Sequence, residues 1–345
     1  MKKFLSMTMA ALMTASLLTG CGSSAGASTS GQTATGDKPV ELKMNVTTSE
    51  SSVWMVAANT FKEMVEEGTE GRYVVNIYPN EQLSSGDMVK GCEMLFTGVT
   101  DLDMHSAINM TGFEEKLTVV TMPWLFTNGY DSVDEVLFNG DGGEYLKDLI
   151  RAKGAEPLGL AENGFRQITN NVRPIITPDD LKGLKIRTPA ITMYVDLFKL
   201  LGADPTSMSF SEVFTALQQG TIDGQENPWD TIRSGQIQEV QKYLSVWNYS
   251  YDPVVLSASS KLWNSLSDAD KEIFSNAATE ACAAEVKASR AMDDECKQQF
   301  IDAGMEITEL TPDQIQAFQD AVKPIYDQYT DIVGADALAA FGYQG

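Results

Sequence analysis

The chain has 345 residues, 43% of them hydrophobic and 21% charged, a length and balance that support two domain-sized cores in a soluble protein. Its 48 acidic residues against 25 basic ones give a formal charge of −23, which excludes nucleic acid and anionic membrane surfaces as partners. One histidine and four cysteines with no metal-ligand spacing leave no metal centre to expect, and no motif asks for a cofactor.

The N-terminus is read first. Lys2 and Lys3 precede an apolar run that ends in Leu18-Thr19-Gly20-Cys21. Residues 1–20 have the layout of a secretory signal peptide, too short to span a bilayer with flanks of its own. The ending resembles a lipobox, which implies lipidation of Cys21 and anchoring of the mature chain to the membrane from outside the cytoplasm. Residues 21–37 are almost entirely Gly, Ser, Thr and Ala after the cysteine and cannot bury enough apolar surface to order themselves, so they form a tether. Gly22-Ser23-Ser24-Ala25-Gly26 fits a hydrolase elbow pattern by chance, because no strand precedes it and no helix follows. No later run reaches about 18 consecutive apolar residues.

From residue 38 strands and helices alternate. Val40 to Val46 reads as a strand ending near Asn45, followed by a helix that carries Val53, Val56, Ala57, Phe61, Met64 and Val65 on one side. Tyr73 to Tyr78 is the next strand, Ser85 to Phe96 a helix, and Leu102 to His105 a strand. Leu117 to Met122 reads as a further strand stopped by Pro123-Trp124, with Trp124 read as core. Ser132 to Ala152 reads as a helix, with Gly140-Asp141-Gly142-Gly143 a turn, and Ala155 to Leu160 as a strand. Thr188 to Leu201 is helical up to Gly202. Ser209 caps a helix with Glu212 completing a capping box. Val254 to Ala258 is a strand. Ser267 to Ala303 is one helix of about 55 Å, long enough to bridge two domains. Met305 to Leu310 is a strand and Thr311 to Val333 a helix that Pro324 should kink or interrupt. The rhythm predicts an α/β fold with mostly parallel sheets flanked by helices.

In such sheets ligands bind beyond the carboxyl ends of strands, which makes Asn45 and His105 candidates for a pocket. A structural role for His105 is the alternative. Cys282 and Cys296 share one helix about 21 Å apart, beyond the reach of a disulfide. With Cys92 they read as buried thiols, a bond from Cys92 to one of the others staying open.

The most informative stretch runs from Asn163 to Asp230 and contains Arg166, the strand LKIR with Arg187, and the polar turn Gly224-Gln225-Glu226-Asn227-Pro228. A guanidinium at the end of a buried strand needs a partner, because it cannot shed its proton. That partner is either an internal carboxylate or the carboxylate of a ligand, whose two oxygens match the planar fork.

The runs DLKGLKIRTP and LGADPTSMSFSEVFTALQQGTIDGQENP resemble the solute-binding proteins of TRAP transporters (tripartite ATP-independent periplasmic transporters), and the likeness extends over nearly the whole mature chain. The resemblance implies a two-lobed periplasmic-binding-protein-like fold, with lobe I at 38–163 plus 253–292 and lobe II at 164–252 plus 293–345. It implies that Arg187 makes the main salt bridge to a substrate carboxylate, that Arg166 assists and that Asn227 adds a hydrogen bond. Phe210 would stack on the ligand, with Trp229 and Asn45 further pocket residues. Family members often carry an acid near His105, so the histidine is a departure.

The expected function is therefore a monomeric extracytoplasmic receptor, not an enzyme. It would capture a small carboxylate, a sugar acid such as a uronate or aldonate, and deliver it to TRAP membrane subunits. The competing readings are an exported lyase or hydrolase acting on acidic sugars, and a ligand-binding partner of a membrane sensor.

Overall fold

A single long strand ties the molecule together. In the computed structural model, which describes residues 38–343, β4 (Ala155–Asn170) takes part in two sheets. The signal peptide, Cys21 and the tether predicted from the sequence lie outside the described residues.

The first sheet is built from β1 (Val40–Val46), β2 (Tyr73–Tyr78), β3 (Leu102–Ser106), the first part of β4, and β9 (Tyr251–Ser259), in the order β2-β1-β3-β9-β4. Its β1 pairs in parallel with β2 and β3, whereas β9 runs antiparallel to both β3 and β4. The second sheet takes the last five residues of β4 and adds β5 (Lys185–Thr188), β6 (Asp204–Ser207), β7 (Gly224–Pro228), β8 (Tyr243–Val246) and β10 (Glu306–Glu309). β5 lies between β6 and β7 in parallel, and β4 is antiparallel to β7 and β8. The fold is thus α/β with mixed sheets, as expected.

Between its two roles β4 shifts register against β9, at Pro157/Gly159 and at Glu162/Gly164. Gly164 has φ +98°, and a Cβ there would meet the Tyr130 hydroxyl at 3.1 Å. This bulge, which needs glycine, bends the strand two residues before Arg166.

The long helix predicted from the alanine-rich pattern spans Asp268–Asp302, 35 residues, with Ser267 as its N-cap. Its first half packs Phe274, Ala277, Ala278 and Ala281 into the core under β1 and the helix Trp54–Gly68. Its second half packs Cys296 and Phe300 with Val213, Trp229 and Leu244 of the other sheet's layer. It therefore bridges both halves. Cys92, Cys282 and Cys296 are free and buried, in agreement with the sequence reading.

Three expectations are corrected. Leu117–Met122 is not a strand: Glu115–Thr121 is a 3-10 segment whose Leu117, Val119 and Val120 sit in the core with Phe318 and Val322 of the C-terminal helix. A short apolar run has no period to distinguish these outcomes. The predicted helix over 132–152 is broken into Gly129–Val133, a wider turn at Asp134–Phe138, and Asp141–Arg151, so the glycine turn is the start of a helix. The GQENP turn is strand β7, fully buried. Tyr243–Val246 is a strand that the sequence reading passed over. The C-terminal helix Pro312–Val333 runs through Pro324 as one element, capped by a Thr311/Gln314 box.

Candidate functional site

The strand LKIR carries Arg187 into the second sheet, one strand in from its β6 edge, opposite Gln225 of β7 and Thr206 of β6. Its side chain is 1% exposed. Nε and Nη2 both donate to the Met208 carbonyl, at 3.0 and 2.7 Å, and the guanidinium carbon lies 5.9 Å from the centre of the Phe210 ring. No carboxylate among the described residues forms an ion pair with it. Burial therefore pushes this guanidinium down, to about 9, with the neighbouring Arg166 adding to the shift and Glu226 and Glu212 opposing it. It remains cationic at neutral pH, without a counter-charge of its own.

Arg166 has the opposite environment. It is 2% exposed, with Glu226 on Nε and Nη2 and Asp252 on Nη1 at 2.7 Å. Nη2 also donates to the Asn227 Oδ1 at 3.0 Å and to the Glu226 carbonyl at 2.9 Å. Burial alone would lower Arg166; the carboxylates reverse this and hold it well above its ordinary value. The Tyr249 hydroxyl donates to Glu226 at 2.7 Å, and Asp252 accepts from Ser106 and, at 2.8 Å, from Asn163. Burial pushes Asp252 up, and Arg166, Ser106 and Asn163 pull it back.

Arg187, Arg166 and Asp252 border a small cavity of about 30 Å³. Arg187, Arg166, Asn227 and Phe210, all singled out in the sequence, line it together. The Ser209/Glu212 capping box is present and sets Phe210 at the first position of its helix, Phe210–Gln218. The rest of the wall comes from strand ends of the first sheet and the helix after it: Thr47, Thr48, Trp54, Met88, Ser106 and Asn109. Asn163, Thr231 and Asp252 complete the polar side.

Three sequence candidates lie elsewhere. His105 is fully buried behind the cavity, with Nε2 2.7 Å from Glu81 Oε1 in an ion pair and Nδ1 3.6 Å from the Cys92 sulfur. Burial alone would lower His105, but Cys92, Asp103 and Glu81 around it hold it well above the usual histidine range. Side chains alternate along a strand, so the next residue, Ser106, is the one on the cavity wall. Asn45 sits one pleat deeper than Thr47, and both donate to Glu81. Trp229 stacks on Phe300 of the long helix at 5.8 Å, inside the core. Trp124 packs edge-on against Trp247 at 6.0 Å, as expected for a core residue.

Sequence reasoning did not reach Asp252, Thr48 or Trp54. Asp252 left one trace, a single acid inside the apolar strand YDPVVLSAS. Such a residue must have a buried partner. No cluster of His, Cys, Asp and Glu among the described residues has the arrangement of a metal site. The lining presents one unpaired guanidinium, Arg187, and hydroxyl and amide groups along its polar side.

Comparison with known proteins agrees with this geometry. Residues 44–331 match the profile of the bacterial extracellular solute-binding proteins, family 7. The C4-dicarboxylate-binding periplasmic protein DctP of Vibrio cholerae is 33% identical over 285 residues, 83% of this chain and 84% of that protein. Among solved structures, a TRAP periplasmic solute-binding protein from Polaromonas sp. JS666 bound to D-erythronate is 37% identical with a TM-score of 0.82, over 87% of this chain and 97% of that one. One from Shewanella oneidensis with bound succinate is 32% identical with a TM-score of 0.83, over 88% and 98%. With its fold, its motifs and its length all shared, the chain belongs to the family 7 extracellular solute-binding proteins, the substrate-capturing components of TRAP transporters.

Proposed function

We propose that this binding protein captures a small sugar acid, an aldonate or a uronate, by its carboxylate on Arg187. It would then close its two lobes over the ligand and present it to the membrane subunits of its transporter. The observation that carries this reading is Arg187 itself: a buried cation in a cavity wall, bonded among the described residues only to a backbone carbonyl. An uncompensated buried charge is expensive, and a bidentate carboxylate is the partner its fork fits. Arg166 contributes a fixed, already neutralised frame that orients Asn227, and Phe210 offers a ring face to the C–H side of a sugar chain. Family members are solute-binding proteins rather than enzymes. Relatives of similar identity carry succinate and D-erythronate, so membership alone does not choose between them.

Hinge closure has its natural axis where β4 bends at Gly164 and where the long helix crosses. This supports the lobe division at 38–163 plus 253–292 and 164–252 plus 293–345. No helix among the described residues is long and apolar enough to cross a membrane. Membrane attachment in this reading rests on a lipid at Cys21, with the receptor a monomer.

A thermal-shift screen over sugar acids, keto acids and dicarboxylates tests the proposal. A receptor gains melting temperature with a subset of acids and returns them unchanged. Conversion of the acid, or no shift with any carboxylate, counts against it.

A further inference from the structure

We infer that the cavity is built for one carboxylate and not two, and that Asp252 is the residue that sets this preference. Its ligand is a polyhydroxylated monocarboxylate of the aldonate kind, and dicarboxylates are rejected. The inference rests on Arg187 as the anchor and deepens that reading.

The argument is a count of uncommitted charges. The described residues lining the cavity include two cations, Arg187 and Arg166, and one carboxylate, Asp252. Arg166 is already held by two acids, Glu226 and Asp252, both nearly without exposure. Only Arg187 is left to neutralise a ligand. After it engages one carboxylate, a second would enter a wall that holds Asp252 and no free cation. Bulk water does not screen such like-charge repulsion inside a closed site, and the second carboxylate would also lose its hydration without a partner.

The unbonded polar atoms in the wall tell the same story. Thr48 Oγ1 and Trp54 Nε1 are buried and have no hydrogen-bond partner among the described residues, and both residues line the cavity. Both are neutral: an indole N–H only donates, and a hydroxyl donates and accepts. Buried groups of this type are normally satisfied. Ligand hydroxyls match them, whereas a carboxylate would gain no charge from either. Asp252 already accepts from Ser106, Asn163 and Arg166. It acts on selectivity by its charge, and its loss would return one of Arg166's bonds to the cavity.

Matched pairs isolate the effect. D-Erythronate and meso-tartrate share a carbon chain and differ in whether the far end is a hydroxymethyl group or a carboxylate; D-galactonate and galactarate form a second pair. Isothermal titration of the intact protein near neutral pH should show at least one aldonate bound, with its dicarboxylate partner weaker by about 100-fold or more. Asp252→Asn, which leaves Arg166 with Glu226, should narrow that gap to under about tenfold by strengthening the dicarboxylate. Arg187→Ala should lose both. A dicarboxylate bound as tightly as its partner, or no aldonate bound at all, overturns the inference. An unchanged gap in folded Asp252→Asn removes Asp252 from it, and if that variant does not fold the wild-type pairs decide alone. The anchor is judged separately: it stands when Arg187→Ala weakens whichever acid binds, and fails when that variant binds as wild type does.

Discussion

Arg187 and Arg166 look alike in the sequence, and the structure predicts that removing them has opposite consequences. Arg187→Ala takes away a buried cation with no counter-ion. The Met208 carbonyl loses two donors, a penalty of about 1–3 kcal/mol, but the desolvation of an unpaired charge disappears with it. The unliganded variant should therefore melt close to wild type. Its ligand affinity should fall by about 2–5 kcal/mol, roughly 30-fold to several thousand-fold, because a carboxylate would now be buried unpaired. Arg187→Lys keeps the charge but not the fork, and should still bind at least about tenfold more weakly.

Arg166→Ala instead leaves Glu226 and Asp252 buried without their cation, and should destabilise the unliganded protein by about 3–5 kcal/mol. Denaturant melts of both apo variants, with titration calorimetry using the tightest acid from the screen, give the comparison. The reasoning is refuted if folded Arg187→Ala binds within threefold of wild type, or if Arg166→Ala is the variant that keeps its stability.

Asp230 accepts from Ser52 Oγ at 2.7 Å and from the Val53 N–H at 3.0 Å, joining the helix after β7 to the start of Trp54–Gly68 on the other sheet. Asp230→Ala should weaken ligand binding by about 1–2 kcal/mol without touching the ligand, visible as a faster off-rate in stopped flow. Asp103 is fully buried, and burial pushes it up to about 8, Glu81 adding to the shift and His105, the Met104 backbone and Asn45 opposing it. The folded state then keeps a proton that the unfolded chain releases above about pH 4, so this group's contribution to stability falls as pH rises from about 4 to about 8. Asp103→Asn should gain at least about 2 kcal/mol on wild type between pH 5 and pH 8 in urea melts. Ser209→Ala removes the cap beneath Phe210 and should cost about 1 kcal/mol of stability. Cys92, Cys282 and Cys296 should react with a thiol reagent only as fast as the protein opens, and reductant should leave the melting temperature unchanged.

Much of the fold was legible because its elements repeat at their own period. The helix Asp268–Asp302 showed an unbroken three- and four-residue pattern, and Ser209 and Thr311 announced their helices through capping boxes that the structure contains. Leu117–Met122 failed because six residues are too few to carry a period, and its β-branched side chains favoured the wrong answer. The GQENP segment read as a turn because Gly, Asn and Pro are turn residues, yet its glutamate and asparagine are held by Arg166 on the neighbouring strand. Tertiary pairing overrode local preference there.

The candidate site was legible by residue type and not by orientation. Arg187, Arg166, Asn227 and Phe210 converge on one cavity, but His105 misses it by a single step of the pleat, and Asn45 lies deeper than Thr47 on the same strand face. Composition names the strand end that faces a ligand; it does not say which of two adjacent side chains points outward.

What no sequence pattern could separate is the pair of arginines. Both stand on buried strands beside polar residues, and both lie in the same wall. The difference is made by Glu226 and Asp252, one on β7 and one on β9, which β4 brings to Arg166 and not to Arg187. One guanidinium is thereby fixed as part of the fold, and the other is left short of an anion. A ligand that supplies this anion gives Arg187 the direct ion pair it lacks, so occupancy and stability must rise together. Selectivity follows from the same asymmetry, since a wall with one unmet cation has room for one negative charge.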